Sequence, residues 1–276
     1  MSDETKVETP VETPESVVLS EIDARGVATV TLNRPQVFNS YNPALLTGLT
    51  QTLTTLEADA RVRVVVLRGA GKHFSAGADV NWFKILATAS EYDRLAASRM
   101  STGAMRKLAQ LAKPTIALIQ NACFGGGAGY AAACDIVVAS EDARFAVTEV
   151  KIGITPAPIL RQLIDAIGVR NTRRYALTAE TFDVREAQRI GLVQTICPVG
   201  GLDAAAAPIV DALLRCGPNA IRDTKRLIGR AAEGEFGDSM AEMLAEISAA
   251  GRITDEAREG FSSFLEKRNP SWYPGE

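Results

Sequence analysis

Three consecutive glycines, Gly125 to Gly127, follow the apolar run TIALIQ at 115–120 and precede a run of small residues. A backbone N–H can bind an oxyanion only where no side chain blocks the approach, and a glycine-rich turn that opens a helix points several N–H groups the same way. The pattern indicates an oxyanion hole, with a tight turn for close helix packing as the alternative. Neither G-x-x-x-x-G-K-[ST] nor G-x-G-x-x-G is present, which disfavours a phosphate-binding loop.

A second glycine-containing turn, HFSAGADV at 73–80, also follows a β-branched run and precedes a helical stretch. An oxyanion hole needs two N–H donors, so this turn is predicted to supply the second one. Asp79 within it is typical of a helix cap. His73 is interpreted as structural, because no Ser or Cys nucleophile motif accompanies it.

One carboxylate, Glu149, precedes an apolar segment and two prolines in TEVKIGITPAP at 148–158. A carboxylate in apolar surroundings holds its proton more tightly and is able to act as acid or base near neutral pH. The alternative is that Glu149 forms an ion pair with a nearby Arg or Lys.

The segments around these turns predict an α/β fold. Two β-rich runs at 17–22 and 27–32 surround a polar turn and predict a hairpin. Further β-branched runs lie at 61–69, 115–120 and 135–140. Helical stretches separate them, which implies parallel strands joined by crossover helices. These predicted helices are 43–60 and 91–111.

After Pro158 strand signals nearly vanish and helical patterns follow. We predict a disordered leader over 1–15, a core with the active site over 16–200, and a C-terminal helical region over 201–276. The helices predicted after Pro158 are 160–167, 170–178, 184–190, 202–215, 220–233 and 239–267, the last interrupted near Gly251.

The composition describes a globular protein of 276 residues with a formal net charge of −3. Nucleic acid is not expected as a partner, because phosphate binding needs a concentrated basic surface. Four cysteines without a C-x-x-C pair, and a single histidine, disfavour a metal site and indicate free thiols in a reducing compartment. No stretch reaches the roughly 18 uninterrupted apolar residues of a membrane span, and the N-terminus lacks a secretory signal. We therefore expect a cytoplasmic protein that does not insert into a membrane.

The motifs together resemble the crotonase, or enoyl-CoA hydratase/isomerase, superfamily over residues 16–272. The segments that carry this resemblance, in order, are NRPQVFNSYN (33–42), HFSAGADV, FGGGAGYAAACDI, TEVKIGITP and DEAREGFSSFLEKRNPSW (255–272). The resemblance implies a spiral of ββα units, a C-terminal helical region that forms a homotrimer or a dimer of trimers, and an acyl-CoA thioester substrate. No separate cofactor is expected, since coenzyme A is part of the substrate.

By motif position, the resemblance implies that the N–H groups of Ala78 and Gly126 form the oxyanion hole and that Glu149 is the acid and base. It also implies a set of residues that bind the substrate around these groups and, at the CoA phosphates, near the end of the chain. The set comprises Ala76, Asp79, Trp82, Gly125, Gly129, Ala157 and Lys267.

The chain departs from the hydratase pattern at three places, one of which is Val37, where a basic residue is usual two positions after the proline of NRP. Hydratases of the superfamily typically carry two glutamates. After the glycine triplet this chain has Ala128 and then Gly129, so the first glutamate is missing and only Glu149 remains. The loop that reads P-G-A-G-G in typical hydratases begins Pro156-Ala157, so the glycine amide that helps to hold the attacking water becomes that of Ala157.

These departures leave three alternatives for the activity. One carboxylate is sufficient for a Δ3,Δ2-enoyl-CoA isomerase, because one base moves a proton between two carbons. However, GAD-x-NW with Trp82, and TEVK followed by a P-A loop, resemble bacterial methylglutaconyl- and isohexenylglutaconyl-CoA hydratases. We predict hydration of a 2-enoyl-CoA of branched or glutaconyl type, with isomerisation and non-catalytic acyl-CoA binding as the alternatives.

Overall fold

The computed structural model describes residues 13–275. Its strands are β1 Val18–Ile22, β2 Val27–Leu32, β3 Val64–Gly69, β4 Thr115–Ile119, β5 Ala122–Phe124, β6 Ile136–Ser140, β7 Arg144–Ala146, β8 Phe182–Asp183 and β9 Thr195–Cys197. Its helices are α1 Pro14–Val17, α2 Pro43–Ala58, α3 Val80–Ala87, α4 Glu91–Ala109, α5 Gly126–Ala133, α6 Leu160–Thr178, α7 Val184–Arg189, α8 Leu202–Arg215, α9 Pro218–Glu233, α10 Asp238–Gly251 and α11 Asp255–Glu266.

The strands form two sheets. The larger has the order β1-β2-β3-β4-β6-β9 and is parallel except for the β1–β2 hairpin, and the smaller has the order β5-β7-β8. Twice in succession the chain adds a strand to the larger sheet, then a strand to the smaller one, then a helix: first β4-β5-α5, then β6-β7-α6. This repeat confirms the predicted α/β spiral of ββα units.

Helices cover both faces of the larger sheet. Val65 and Leu67 of β3 pack in one apolar cluster with the leucines of α2, whereas Val64 and Val66 pack in a second cluster with Leu214 and other residues of α8. A parallel sheet covered on both faces has strands that read as continuous apolar runs, as these do. Although α8 was assigned to the C-terminal region, it packs on the core sheet, so the helices that stand apart from the sheet begin with α9.

Several predicted boundaries agree with the structure. Gly168 has φ 72° and interrupts α6 where the sequence indicated two helices. The long terminal helix is divided after Gly251 as predicted, into α10 and α11. Of the predicted leader, residues 1–12 lie outside the described residues, and α1 begins at Pro14, slightly before the predicted boundary at 16.

The expectation of almost no strands after Pro158 was wrong in two places. β8 and β9 contain two and three residues, and β9 adds a sixth strand to the larger sheet by pairing with β6. Segments this short show no residue alternation, and tertiary pairing alone makes them strands.

The parallel strands bring the candidate turns to one edge of the sheet. β3 and β4 run side by side in register, with Val65 opposite Thr115, and β6 runs parallel to β4. Because parallel strands end at the same edge, the segments that follow β3, β4 and β6 meet there. These segments contain the HFSAGADV turn, the glycine turn and Glu149.

Candidate active site

The HFSAGADV turn and the glycine turn lie in direct contact. The Ser75 N–H donates to the Ala122 carbonyl at 3.0 Å, and the Phe124 N–H donates to the Ser75 carbonyl at 2.9 Å. Gly77 has φ 94°, and a Cβ built on it would lie 3.3 Å from the Gly126 amide nitrogen and 2.9 Å from the Phe124 carbonyl oxygen. The close approach of the two turns therefore requires glycine at position 77.

Two N–H groups at this contact have no acceptor within residues 13–275. The Tyr41 backbone forms hydrogen bonds with both neighbours of Ala78. Its N–H donates to the Gly77 carbonyl at 2.8 Å, and its carbonyl accepts from the Asp79 N–H at 2.9 Å. This pairing leaves the Ala78 N–H unused. Gly126 is the first residue of α5, where an N–H has no intrahelical acceptor.

Glu149 lies against the same glycine turn. Gly125 has φ 51° and ψ −124°, and its N–H donates to the Ala146 carbonyl at 2.8 Å. A Cβ on Gly125 would lie 3.1 Å from Oε1 of Glu149 and 3.2 Å from Oγ1 of Thr148. The structure therefore places Ala78, Gly126 and Glu149 around one glycine turn, as the sequence predicted.

The Glu149 side chain is half-buried, and its carboxylate is partly desolvated. Its Oε2 atom is buried without a hydrogen-bond partner among the described residues. Burial raises the pKa of Glu149 above its ordinary value of 4.5, and the N–H groups of Glu149 and Thr148 oppose this rise. No ion pair links it to an Arg or Lys in the described part of the chain, so the ion-pair alternative is not what the structure shows.

This burial predicts an unusual stability profile for Glu149→Gln. Glutamine removes a buried charge, so the variant should have a midpoint of thermal unfolding about 2–4 °C above wild type at pH 8. The pKa of Glu149 is higher in the folded protein than in the unfolded chain. The ionised carboxylate therefore destabilises the folded protein at pH values above the folded-state pKa, and this destabilisation disappears at pH values below the unfolded-state pKa. Scanning calorimetry from pH 8 to pH 4 should show the two midpoints converge, whereas a less stable variant at pH 8 would contradict the assignment.

The space beside Gly129 is filled by Ile159. A Cβ on Gly129 would lie 2.2 Å from Cγ2 of Ile159 and 3.3 Å from Sδ of Met105. A glutamate at position 129 therefore does not fit unless Ile159 moves. In the loop after Pro156, Ala157 is exposed. Ile159 is buried and is the residue of this loop that contacts α5.

Other residues of the predicted substrate set have structural partners. The Ala76 N–H donates to the Phe38 carbonyl at 2.9 Å. Asp79 caps α3 by accepting from Asn81, and it pairs with the buried Arg34 at 2.9 Å. These contacts hold the HFSAGADV turn in place, and the direct contacts of Ala76 and Asp79 with substrate stay predictions.

Trp82 and Lys267 differ in their placement. Trp82 is half-buried, and its ring lies 6.0 Å from that of Tyr41 in a T-shaped arrangement. Lys267 is exposed at the end of α11, and no described hydrogen bond links it to the glycine turn of its own chain. The structure thus brings Trp82 to the site and leaves the role of Lys267 a prediction.

Sequence reasoning missed two residues of the site, Tyr41 and Ile159. Tyr41 is 5% exposed. Burial, followed by the negative charge of Glu149, raises the pKa of its hydroxyl well above the ordinary value of 10.0. Tyr41 lies within the NRPQVFNSYN motif, so a signal for it was present, whereas nothing in the sequence singled out Ile159.

Neither a metal-binding cluster nor a membrane-spanning helix is present among the described residues. From 13 to 275, no group of three or more His, Cys, Asp or Glu side chains is arranged to hold a metal ion. Over the same range, no helix is both long and apolar enough to cross a membrane.

Known proteins resemble this chain over nearly its whole length. The model of the enoyl-CoA hydratase/isomerase family matches residues 23–274. A relative from Thermus thermophilus is 35% identical over 254 residues, which cover 91% of this chain and 98% of that protein. The short-chain-enoyl-CoA hydratase of Clostridium acetobutylicum is 32% identical, over 88% of this chain and 92% of the relative.

Other similar proteins include an isomerase and a solved structure. The peroxisomal Delta(3,5)-Delta(2,4)-dienoyl-CoA isomerase of Arabidopsis thaliana is 32% identical, over 87% of this chain and 90% of the relative. The crystal structure of an enoyl-CoA hydratase from Shewanella pealeana superposes with a TM-score of 0.89 at 34% identity, covering 93% of this chain and 96% of that one.

Proposed function

The chain belongs to the enoyl-CoA hydratase/isomerase family, and we propose that within it the chain hydrates a 2-enoyl-CoA of branched or glutaconyl type. The observation that carries this proposal is the convergence of two unused N–H groups, those of Ala78 and Gly126, with the buried carboxylate of Glu149. Two donors aimed at one point stabilise a developing oxyanion, and each is worth about 3 kcal/mol in the transition state.

The proposed reaction uses the two N–H groups and the Glu149 carboxylate. The thioester carbonyl oxygen accepts hydrogen bonds from the N–H groups of Ala78 and Gly126. The Glu149 carboxylate takes a proton from water as the water oxygen bonds to Cβ, and the π electrons move to form an enolate. Glu149 then returns the proton to Cα and the carbonyl re-forms, so the net change is the addition of one water. The raised pKa of Glu149 suits this relay, because the group must both take and release a proton.

The hydration proposal draws on the relatives and on two motifs. The relatives from Clostridium acetobutylicum and Shewanella pealeana are named as enoyl-CoA hydratases. The branched or glutaconyl acyl group rests on the GAD-x-NW motif with Trp82 and on the P-A loop after TEVK. Trp82 lies half-buried beside Tyr41, which suits a residue at the wall of the acyl pocket.

A second candidate function is Δ3,Δ2-enoyl-CoA isomerisation. The observation that favours it is the position of Ile159, which leaves no room at Gly129 for a second carboxylate. One carboxylate is sufficient to move a proton from one carbon of an allylic thioester to another. The relative from Arabidopsis thaliana is named as an isomerase of dienoyl-CoA esters.

Mass spectrometry in deuterated water distinguishes these functions. The purified protein is incubated with 2-enoyl-, 3-enoyl- and 3-methylglutaconyl-CoA esters. Gain of one water by a 2-enoyl ester, with the glutaconyl ester preferred, is the expected result. A double-bond shift without gain of water supports the isomerase instead, and binding of all esters without any change supports a non-catalytic acyl-CoA-binding protein.

We further propose that α9 to α11 form the contacts of a homotrimer or a dimer of trimers. α10 buries no residue in the single chain, and α11 buries only Ser263. Phe264 and Leu265 of α11 are 82% and 78% exposed. Exposed apolar residues of this size on adjacent positions are typical of a surface that another subunit covers.

Phe264→Asp is therefore expected to dissociate the assembly, because a carboxylate buried between subunits would be desolvated without a partner. Light scattering after size-exclusion chromatography should show a mass of three or six chains for wild type and one chain for the variant. Leu19→Asp changes an exposed leucine outside these helices and should keep the wild-type mass. An unchanged mass for Phe264→Asp would contradict the proposed interface.

A further inference from the structure

Tyr41 contacts both turns that carry the unused N–H groups. Its backbone bonds to Gly77 and Asp79, the two neighbours of Ala78. Its ring lies against Gly126, since a Cβ on that glycine would lie 2.2 Å from Cε1 and 3.1 Å from Cζ of Tyr41. One residue therefore links the two turns, through its backbone on the HFSAGADV turn and through its ring on the glycine turn.

The Tyr41 ring and the Glu149 carboxylate lie against consecutive residues of the glycine turn. The Tyr41 ring contacts Gly126 while Oε1 of Glu149 approaches Gly125, the preceding residue of the same turn. The Tyr41 hydroxyl stays a neutral phenol, because both burial and the Glu149 charge raise its pKa. A neutral phenol donates one hydrogen bond and accepts others without adding charge beside the carboxylate.

The carboxylate that typical hydratases carry after the glycine triplet is absent here, so a different group must help Glu149 to hold the water. Ile159 fills the space beside Gly129, and the loop that contributes Ile159 presents an exposed Ala157. A water molecule held only by Glu149 can rotate about that single hydrogen bond. Because a correctly oriented reactant reacts much faster, this rotation slows the attack on Cβ. A second acceptor near Glu149 removes this freedom.

We propose that the Tyr41 hydroxyl oxygen is this acceptor and that it orients the attacking water for hydration. The inference rests on the proposed function. One O–H of the water is held by Tyr41, and the other gives its proton to Glu149 as the water oxygen bonds to Cβ. Tyr41 keeps its own proton throughout, and the remaining O–H of the water becomes the hydroxyl of the 3-hydroxyacyl product.

Tyr41→Phe tests the role because it keeps the ring that packs on Gly126 and removes only the hydroxyl. We expect kcat for hydration to fall on the order of 10²-fold with KM nearly unchanged. Exchange of the Cα protons of a saturated acyl-CoA in deuterated water needs Glu149 and the two N–H groups but no attacking water. This exchange should stay within about twofold of wild type, since the groups that form the enolate are intact.

Tyr130→Phe is the matched control. Tyr130 lies in the same aromatic cluster, with its ring 6.1 Å from that of Tyr41, and its buried hydroxyl has no partner among the described residues. This variant should hydrate at the wild-type rate and unfold at an equal or higher temperature, because it loses an unpaired buried hydroxyl.

The outcomes separate this inference from the proposed function. If wild type hydrates the ester and Tyr41→Phe does so equally fast, the Tyr41 role is overturned and the proposed function stands. A second outcome is that Tyr41→Phe loses both hydration and Cα exchange while Tyr130→Phe loses neither. In that case the Tyr41 hydroxyl is needed to form the enolate, and its specific role in holding water is overturned. If wild type exchanges Cα protons but hydrates none of the esters, both the hydratase proposal and the water-holding role are overturned.

Discussion

Glu149→Gln is expected to reduce kcat for the preferred enoyl-CoA by at least ~10²-fold, the usual contribution of a positioned acid and base. Glutamine keeps the shape of the side chain and cannot take a proton from water or return one to Cα. The Kd of a saturated acyl-CoA, measured by calorimetry, should change little, because the N–H groups of Ala78 and Gly126 remain. Glu141→Gln removes an exposed carboxylate outside the site and should leave kcat unchanged.

The pH dependence of wild type gives an independent signature of Glu149. The carboxylate form is the active one, so kcat/KM should fall as the pH drops through the pKa of Glu149. Because burial raises this pKa, the midpoint should lie above the ordinary 4.5. A Glu149→Gln variant that keeps within tenfold of wild-type kcat, or that shows the same acid limb, would remove Glu149 from the mechanism.

The second large effect is expected at Gly126. Both Gly126→Ala and Gly126→Pro add a Cβ against the Tyr41 ring, where the distance to Cε1 would be 2.2 Å. Only proline also removes the N–H, and proline is well tolerated at the first residue of a helix, which Gly126 is. We therefore expect Gly126→Pro to hydrate at least ~10²-fold more slowly than Gly126→Ala, the loss found when one oxyanion donor is removed.

The comparison of the two Gly126 variants isolates the N–H from the steric effect. Circular dichroism and thermal unfolding should establish that both are folded before their rates are compared. If the added Cβ unfolds both, Ala78→Pro removes the other unused N–H without adding a Cβ and should show a loss of the same size. Equal rates in folded Gly126→Ala and Gly126→Pro would show that the Gly126 N–H stabilises no oxyanion.

Most of the site was predictable because its groups follow strand ends. Gly126 and Glu149 come after β-branched runs whose parallel arrangement was implied by the alternation of strands and helices. Parallel strands end at one edge, so residues far apart in sequence were expected to meet. The structure places both, with Ala78, around one glycine turn.

Tyr41 and Ile159 were not predicted because their roles depend on what they pack against. In sequence Ile159 is an apolar residue after two prolines, and motif position favoured Ala157 instead. Only the structure shows that Ile159 takes the space of the missing carboxylate at Gly129. The strand β9 escaped prediction for a similar reason, since it exists only through its pairing with β6.

Enolate formation by Glu149 and the two N–H groups is tested most directly by exchange of the Cα protons of a saturated acyl-CoA in deuterated water, followed by mass spectrometry. This exchange reports formation of the enolate without any assumption about the natural acyl chain. Wild type should incorporate deuterium at Cα, and Glu149→Gln should do so at least ~10²-fold more slowly. Absence of exchange in wild-type protein that binds the ester, or equal exchange in Glu149→Gln, would show that Glu149 and the two N–H groups do not form an enolate.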